Sequence, residues 1–134
     1  VTTYNSIGMA RWHACAAIDR AAGEARLRYI TDIPGQDQTY MIKREQALAY
    51  AAAVALDPDA PVPSYIAAEA TALAQSPAAT ATTIATQADD WNDTINPQIE
   101  AARLAGKAAV AAAAADATSI EAARDTAIAT LEAI

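Results

Sequence analysis

The chain has 134 residues, enough for one ordinary domain, and 54% of them are apolar, yet 40 are alanine, only 22 are Leu, Ile or Val, and Phe is absent. Burial stabilises by roughly 25 cal/mol per Å² of apolar surface and alanine offers little of it, so a thick aromatic core is excluded. A net charge of −7, with eleven acidic and three basic side chains beyond residue 45, excludes the basic face that nucleic acid or an anionic membrane requires.

Alanine is the best helix former and loses no side-chain entropy. The composition therefore predicts an all-α fold: several Ala-rich helices in an elongated bundle, one long and partly coiled-coil-like, completed by oligomerisation. No run reaches the ~20 apolar residues of a membrane span. The lone Cys15 excludes an internal disulfide and suits a reducing compartment. No signal-peptide pattern opens the chain.

Residues 1–5 read as a polar leader. Ser6 is a suitable N-cap for a helix from about Ile7 to Ile30, with Ile7, Ala10, Ala14, Ile18, Ala21 and Ala25 in an apolar line. Gly23 weakens this helix, and 27–31 is expected to be short and extended if it breaks there. Asp32-Ile33-Pro34-Gly35 predicts a type II turn, with Pro34 fixing φ and Gly35 accepting a positive φ. Asp37 or Thr39 then opens a second helix, about Gln38 to Leu56, burying Tyr40, Ala47, Ala51 and Val54. These parts make an N-terminal helical hairpin over 1–56.

Residues 57–63 form a stiff linker, because Pro58, Pro61 and Pro63 remove donors and disfavour helix before them. The remainder, 64–134, is a C-terminal helical segment. Ser64 caps a short helix to Ala74. Ser76-Pro77 starts the longest helix, to about Ala115. Its seam of Ile84, Ala88, Trp91, Ile95, Ile99 and Ala102 averages near 3.5 residues, as in a coiled coil. Pro97 interrupts it, giving a kink or a break, and Gly106 marks a second candidate break. Thr118-Ser119-Ile120-Glu121 matches a capping box for a last helix with Ile120, Ala123, Ala127, Leu131 and Ile134 on one side.

No catalytic constellation emerges. His13 and Cys15 lie two apart on a helix, about 200° from each other, and supply too few ligands for structural zinc. Asp89, Asp90 and Asp93 lack the turn glycines of a calcium loop and read as a solvated face. Pro34-Gly35-Gln36 lacks the glycine pattern and lysine of a phosphate loop. Arg20, Arg26, Arg28, Lys43 and Arg44 bracket that turn, as ordinary helix charges or as a site for an acidic partner. Trp12 and Trp91 are large for so poor a core, and each should anchor a contact within or between chains. Trp12, Ile84, Trp91, Ile95 and Ile99 are therefore the candidate oligomer or partner interface.

Further residues carry a resemblance. Ala17-Ile18-Asp19, Ala25-Arg26, Tyr29-Ile30-Thr31, Pro34-Gly35-Gln36, Thr39-Tyr40, Lys43 and Gln46-Ala47 come first. Tyr65, Ala68-Glu69, Trp91, Ile99-Glu100, Arg103, Lys107-Ala108 and Val110 follow. In this order they resemble a family of Ala-rich bacteriophage tail and tail-fibre-associated proteins, over about residues 17–132 and most densely from Tyr29 to Ala47. Pro58, Pro61 and Pro63 depart from the pattern. The resemblance implies a non-enzymatic component of the virion tail, at the fibre or baseplate, made in the cytoplasm of the bacterial host. Its implied partners are copies of itself, a trimer by analogy with threefold fibres, and other tail proteins. No cofactor, metal, nucleic acid or membrane is implied. The alternative is a tail-fibre assembly chaperone that is not retained in the virion.

Overall fold

In a computed structural model, which describes residues 6–31 and 33–134, the chain is all-α, and no strand occurs among the described residues. The helices are α1 (Ile7–Leu27), α2 (Gln36–Leu56), α3 (Ser64–Ala72), α4 (Pro77–Asp89), α5 (Asn96–Ala112) and α6 (Ala117–Glu132), with a π-helical segment, Asp90–Ile95, between α4 and α5. The leader expected over residues 1–5, and Asp32 of the turn, lie outside the described residues.

The chain divides into two compact units: Thr31–Asn92, and Val1–Ile30 together with Asp93–Ile134. α1 packs on α5 and α6, and α2 packs on α3 and α4. This corrects the division at 57–63. The proline segment is an internal connection of one unit, and the hairpin expected over 1–56 is not a packing unit.

In the discontinuous unit, the Ser6 hydroxyl accepts the Met9 amide at 3.1 Å and starts α1 as expected. The helix buries Ala10, Ala14, Ile18, Ala21, Ala22 and Ala25, close to the predicted line. It passes through Gly23 without a break and ends in a turn. The amides of Tyr29 and Ile30 both donate to the Arg26 carbonyl, so 27–31 is not extended.

Across from this alanine face lie Ile99, Gly106 and Val110 of α5 and Ile120, Ala127 and Leu131 of α6, all buried. Gly106 allows the closest approach: a Cβ there would lie 2.6 Å from Ala127 Cβ and 3.4 Å from Ile18 Cδ1. α5 runs straight through this glycine, so no break occurs at it.

Arg11 of α1 and Arg28, its C-cap, satisfy the ends of other helices. Arg11 Nη2 donates to the Ala113 carbonyl at the end of α5 at 3.1 Å. Arg28 Nη2 donates to the Leu131 carbonyl in the last turn of α6 at 2.8 Å. Free C-terminal carbonyls carry partial negative charge, which favours cations there. The Tyr29 hydroxyl donates to the Ile134 carbonyl. These contacts make α5 antiparallel and α6 parallel to α1.

α6 begins earlier than the capping box predicts. Asp116 is the N-cap, its Oδ1 accepting the Ser119 amide at 2.7 Å while its Oδ2 accepts the Ser119 hydroxyl at 2.9 Å. A carboxylate is a stronger acceptor for a helix amide than the Thr118 hydroxyl. The Ser119 backbone bond, then its hydroxyl bond, holds the Asp116 carboxyl below its ordinary range.

In the continuous unit, the Gln36 amide donates to the Ile33 carbonyl at 3.0 Å and Gly35 sits at φ 82°, ψ −8°, the third position of a type II turn. Pro34 and Gly35 thus act as predicted. α2 starts two residues before the predicted Gln38, because Gly35 also serves as its N-cap. The buried stripe is Ala47 and Tyr50, with Val54 against it; these join Ile66, Ala81 and Ile84 in the core, and Ala51 is exposed.

α3 is capped from another helix. The Gln46 side chain of α2 accepts the Tyr65 amide at 2.8 Å and donates to the Ser64 hydroxyl at 3.3 Å. Ser64 is therefore helical rather than the cap. α3 ends at Ala72, and Ala74, just past the Leu73 C-cap, takes φ 52°. The Gln75 amide reaches the Ala70 carbonyl and the Ala74 amide the Thr71 carbonyl, a Schellman motif with alanine where glycine is usual. Ser76 caps α4 as expected, accepting the Ala79 amide at 3.1 Å.

At Pro97 the chain neither breaks nor continues as regular α-helix. In an α-helix the ring would strike the carbonyl four residues back, that of Asp93. The π-helical turn widens the backbone just before it, and helical residues run without interruption from Pro77 to Ala112. The wider turn also shifts the phase of side chains beyond it, which ends the predicted 3.5-residue seam.

Candidate functional site

The predicted interface residues fall into different environments. Ile84 is buried in the core of the continuous unit, and Ile99 is fully buried in the other. Both pack within their own unit and leave no seam for a third copy. Trp91 and Ile95 are half-buried in the π-helical segment. Trp12 is 66% exposed on α1, with Met9 one turn before it also exposed. The Trp12 and His13 rings meet edge-on, with centroids 5.0 Å apart and planes at 83°. His13 is exposed and Cys15 half-buried.

The basic residues around the Pro34-Gly35 turn divide between the two units. Arg26 Nη2 pairs with Glu100 Oε2 at 2.9 Å and its Nε donates to Asn96 Oδ1 at 3.0 Å. Arg28 caps α6, Lys43 Nζ pairs with Glu69 at 2.6 Å, and Arg44 lies 3.9 Å from Asp89. Pairing within each unit takes up the charge of Arg26 and Lys43, whereas the Arg44 contact is long and leaves its side chain 42% exposed.

The densest charge cluster ties α1 to α5. Arg103 reaches Asp19 at 2.9 Å and Glu100 at 2.7 Å, and Lys107 reaches Asp19 at 3.1 Å. Hydrogen bonds from Arg103, assisted by Arg26, hold the Glu100 carboxyl down at about 2. The cluster is partly exposed, and such pairs contribute little each; its role is to fix the register of the two helices.

Two surfaces went unrecognised in the sequence. The first is a shallow groove of about 400 Å³ between α5 and α6, lined by small residues including Ala102, Ala105, Ala109, Ala123, Thr126 and Thr130. The second is the solvent face of α2, with Met41 and Leu48 exposed and Leu56 90% exposed. A signal for it existed. Residues 47–56 (Ala-Leu-Ala-Tyr-Ala-Ala-Ala-Val-Ala-Leu) are apolar all round, and a helix of that kind is normally covered on every side.

Among the described residues no group of three or more His, Cys, Asp or Glu side chains is gathered as metal ligands would be, and no helix is long and apolar enough to cross a membrane. Fold and surface together define an all-α protein of two three-helix units with uncovered apolar side chains. Comparison with protein-family models, with curated proteins and with solved structures found no match.

Proposed function

We propose that this chain is a non-enzymatic structural component of a bacteriophage tail, at the fibre or baseplate, acting through self-association and docking onto other tail proteins. The observation that carries the reading is the set of large apolar side chains left in water on helices with alanine-rich cores: Trp12 and Met41 are each 66% exposed. Contiguous exposed apolar surface marks a protein contact, and along α2 Met41, Leu48 and Leu56 are all exposed. Small cores gain the most from burial supplied by a neighbour. The resemblance of the Tyr29–Ala47 region to tail-associated proteins gives the reading its biological setting.

Mass spectrometry of purified particles tests it. A stoichiometric band is the expected result. Absence from particles, with capture on nascent fibres, would assign the same surfaces to an assembly chaperone. Absence from both would overturn the reading.

A further inference from the structure

The geometry points to the solvent face of α2 as a self-pairing surface that takes the α2 of a second copy, antiparallel. This deepens, and rests on, the self-association reading above. At about 100° per residue, Met41, Leu48, Ala52, Ala55 and Leu56 fall within an arc of about 100°. That arc is nearly opposite Ala47, Tyr50 and Val54, which meet the unit's own core. One helix thus carries two apolar faces, and only one is covered within its own unit. Between Met41 and Leu56, Glu45 is the single charge inside the exposed arc; Asp37 lies in it one turn earlier, beyond the end of the stripe.

The charges choose the occupant and its direction. Arg44 borders the arc with its side chain 42% exposed. Asp57 and Asp59 lie exposed just past the C-terminal end of α2. With Leu48 seated over Ala52 of the second copy, antiparallel pairing brings Arg44 of each copy towards Asp57 and Asp59 of the other. Glu45 then faces Ala55. A parallel pair would instead set Glu45 beside Glu45 and Asp57 beside Asp57, and align the two helix dipoles. Ala52 and Ala55 keep the stripe low enough for Leu48 to seat. The pairing is two-fold and self-complementary, in place of the threefold seam expected from Ile84 to Ala102.

The stripe is about 22 Å long at 1.5 Å per residue. At about 10 Å wide it offers roughly 220 Å² per copy, well short of the roughly 800 Å² per partner of a standard stable interface, so the pair is weak and concentration-dependent.

Sedimentation equilibrium on the full chain, taken into the hundreds of micromolar, reads it directly. The wild type should pass from monomer to dimer. Leu48→Glu should raise the dimer Kd by about tenfold or more, a loss of about 1.4 kcal/mol per tenfold. Leu104→Glu, an equally drastic change at an exposed leucine of α5, should leave it unchanged. Arg44→Glu and Asp59→Lys should each weaken the dimer, and the two together should restore much of it. Leu48, Asp59 and Leu104 are exposed and Arg44 is half-buried, and helicity by circular dichroism checks that each variant folds. A dimer lost in Trp12→Ser but kept in Leu48→Glu would overturn this inference and leave the wider self-association reading standing. Failure of the charge swap to restore pairing would overturn the antiparallel arrangement. A monomer at every concentration would overturn the inference outright, with particle composition still deciding the functional reading.

Discussion

Gly106 is the position where helix propensity and packing oppose each other most sharply. Replacing it with alanine favours the helix by about 0.8–1.0 kcal/mol. The new Cβ, however, would lie 2.6 Å from Ala127 Cβ. That methyl is fixed to the α6 backbone and has no rotamer by which to retreat. Relief requires α5 and α6 to separate, and overpacking of this kind costs typically about 1–3 kcal/mol. Gly106→Ala should therefore be neutral to destabilising, by up to about 2 kcal/mol. Gly23→Ala is the internal control: nothing lies within 4 Å of a Cβ there, so it should gain the propensity benefit of about 1 kcal/mol. Urea denaturation followed by circular dichroism measures both. Hydrogen exchange at α5 and α6 amides locates the loss. Adding Ala127→Gly to Gly106→Ala removes the collision, and the double-mutant cycle should show favourable coupling. If Gly106→Ala stabilised the protein as much as Gly23→Ala does, the close approach of α5 and α6 would be refuted.

Other expectations are simpler. Ala74 sits at φ 52° at the end of α3, where an L-residue is disfavoured by roughly 1–2 kcal/mol; Ala74→Gly should raise stability by about 0.5–1 kcal/mol after the added unfolded-state entropy, and a loss in the denaturation midpoint would refute the motif. Asp116→Ala should cost about 1 kcal/mol while Asp116→Asn costs less, because either side-chain oxygen accepts the Ser119 amide; equal losses would point to charge rather than capping. The Glu100 carboxyl is lowered from 4.5 to about 2, so its contribution to stability is complete above pH 4.5 and is lost as pH falls through about 2. NMR titration of that carboxyl should show the shift, Arg103→Met should return it towards 4.5, and an unshifted wild-type carboxyl would refute the cluster.

Where structure depends on residues a few positions apart, it was legible in the sequence. The Ser6 and Ser76 caps, the α1 apolar line and the Pro34-Gly35 turn are local, and each follows from the chemistry of neighbours. The errors arose where a distant partner decided the outcome. Ser64 reads as a cap until Gln46 of α2 takes over the α3 amide. A mid-helix glycine looks alike whether it marks a break or a close approach; Ile18 and Ala127 make Gly106 the second. The seam from Ile84 to Ala102 fails because a π-helical turn ahead of Pro97 changes the phase, which no fixed period anticipates. As for the candidate surfaces, Trp12 was visible by its size alone. The α2 face was hidden because Ala49, Ala51, Ala52, Ala53 and Ala55 make the helix apolar all round, so that no polar side marks where solvent begins.

The discontinuous unit has a consequence for synthesis on the ribosome. Arg28 meets Leu131 across 103 positions of chain, whereas the helices Gln36–Leu56, Ser64–Ala72 and Pro77–Asp89 form a contiguous stretch that can close as soon as it emerges. α1, made before all of these, is thus among the last of them to find its partners, with its row of alanines waiting in water while everything between is translated. A premature stop anywhere before α5 and α6 would strand it there, and the cell would meet that fragment as a substrate for chaperones and proteases.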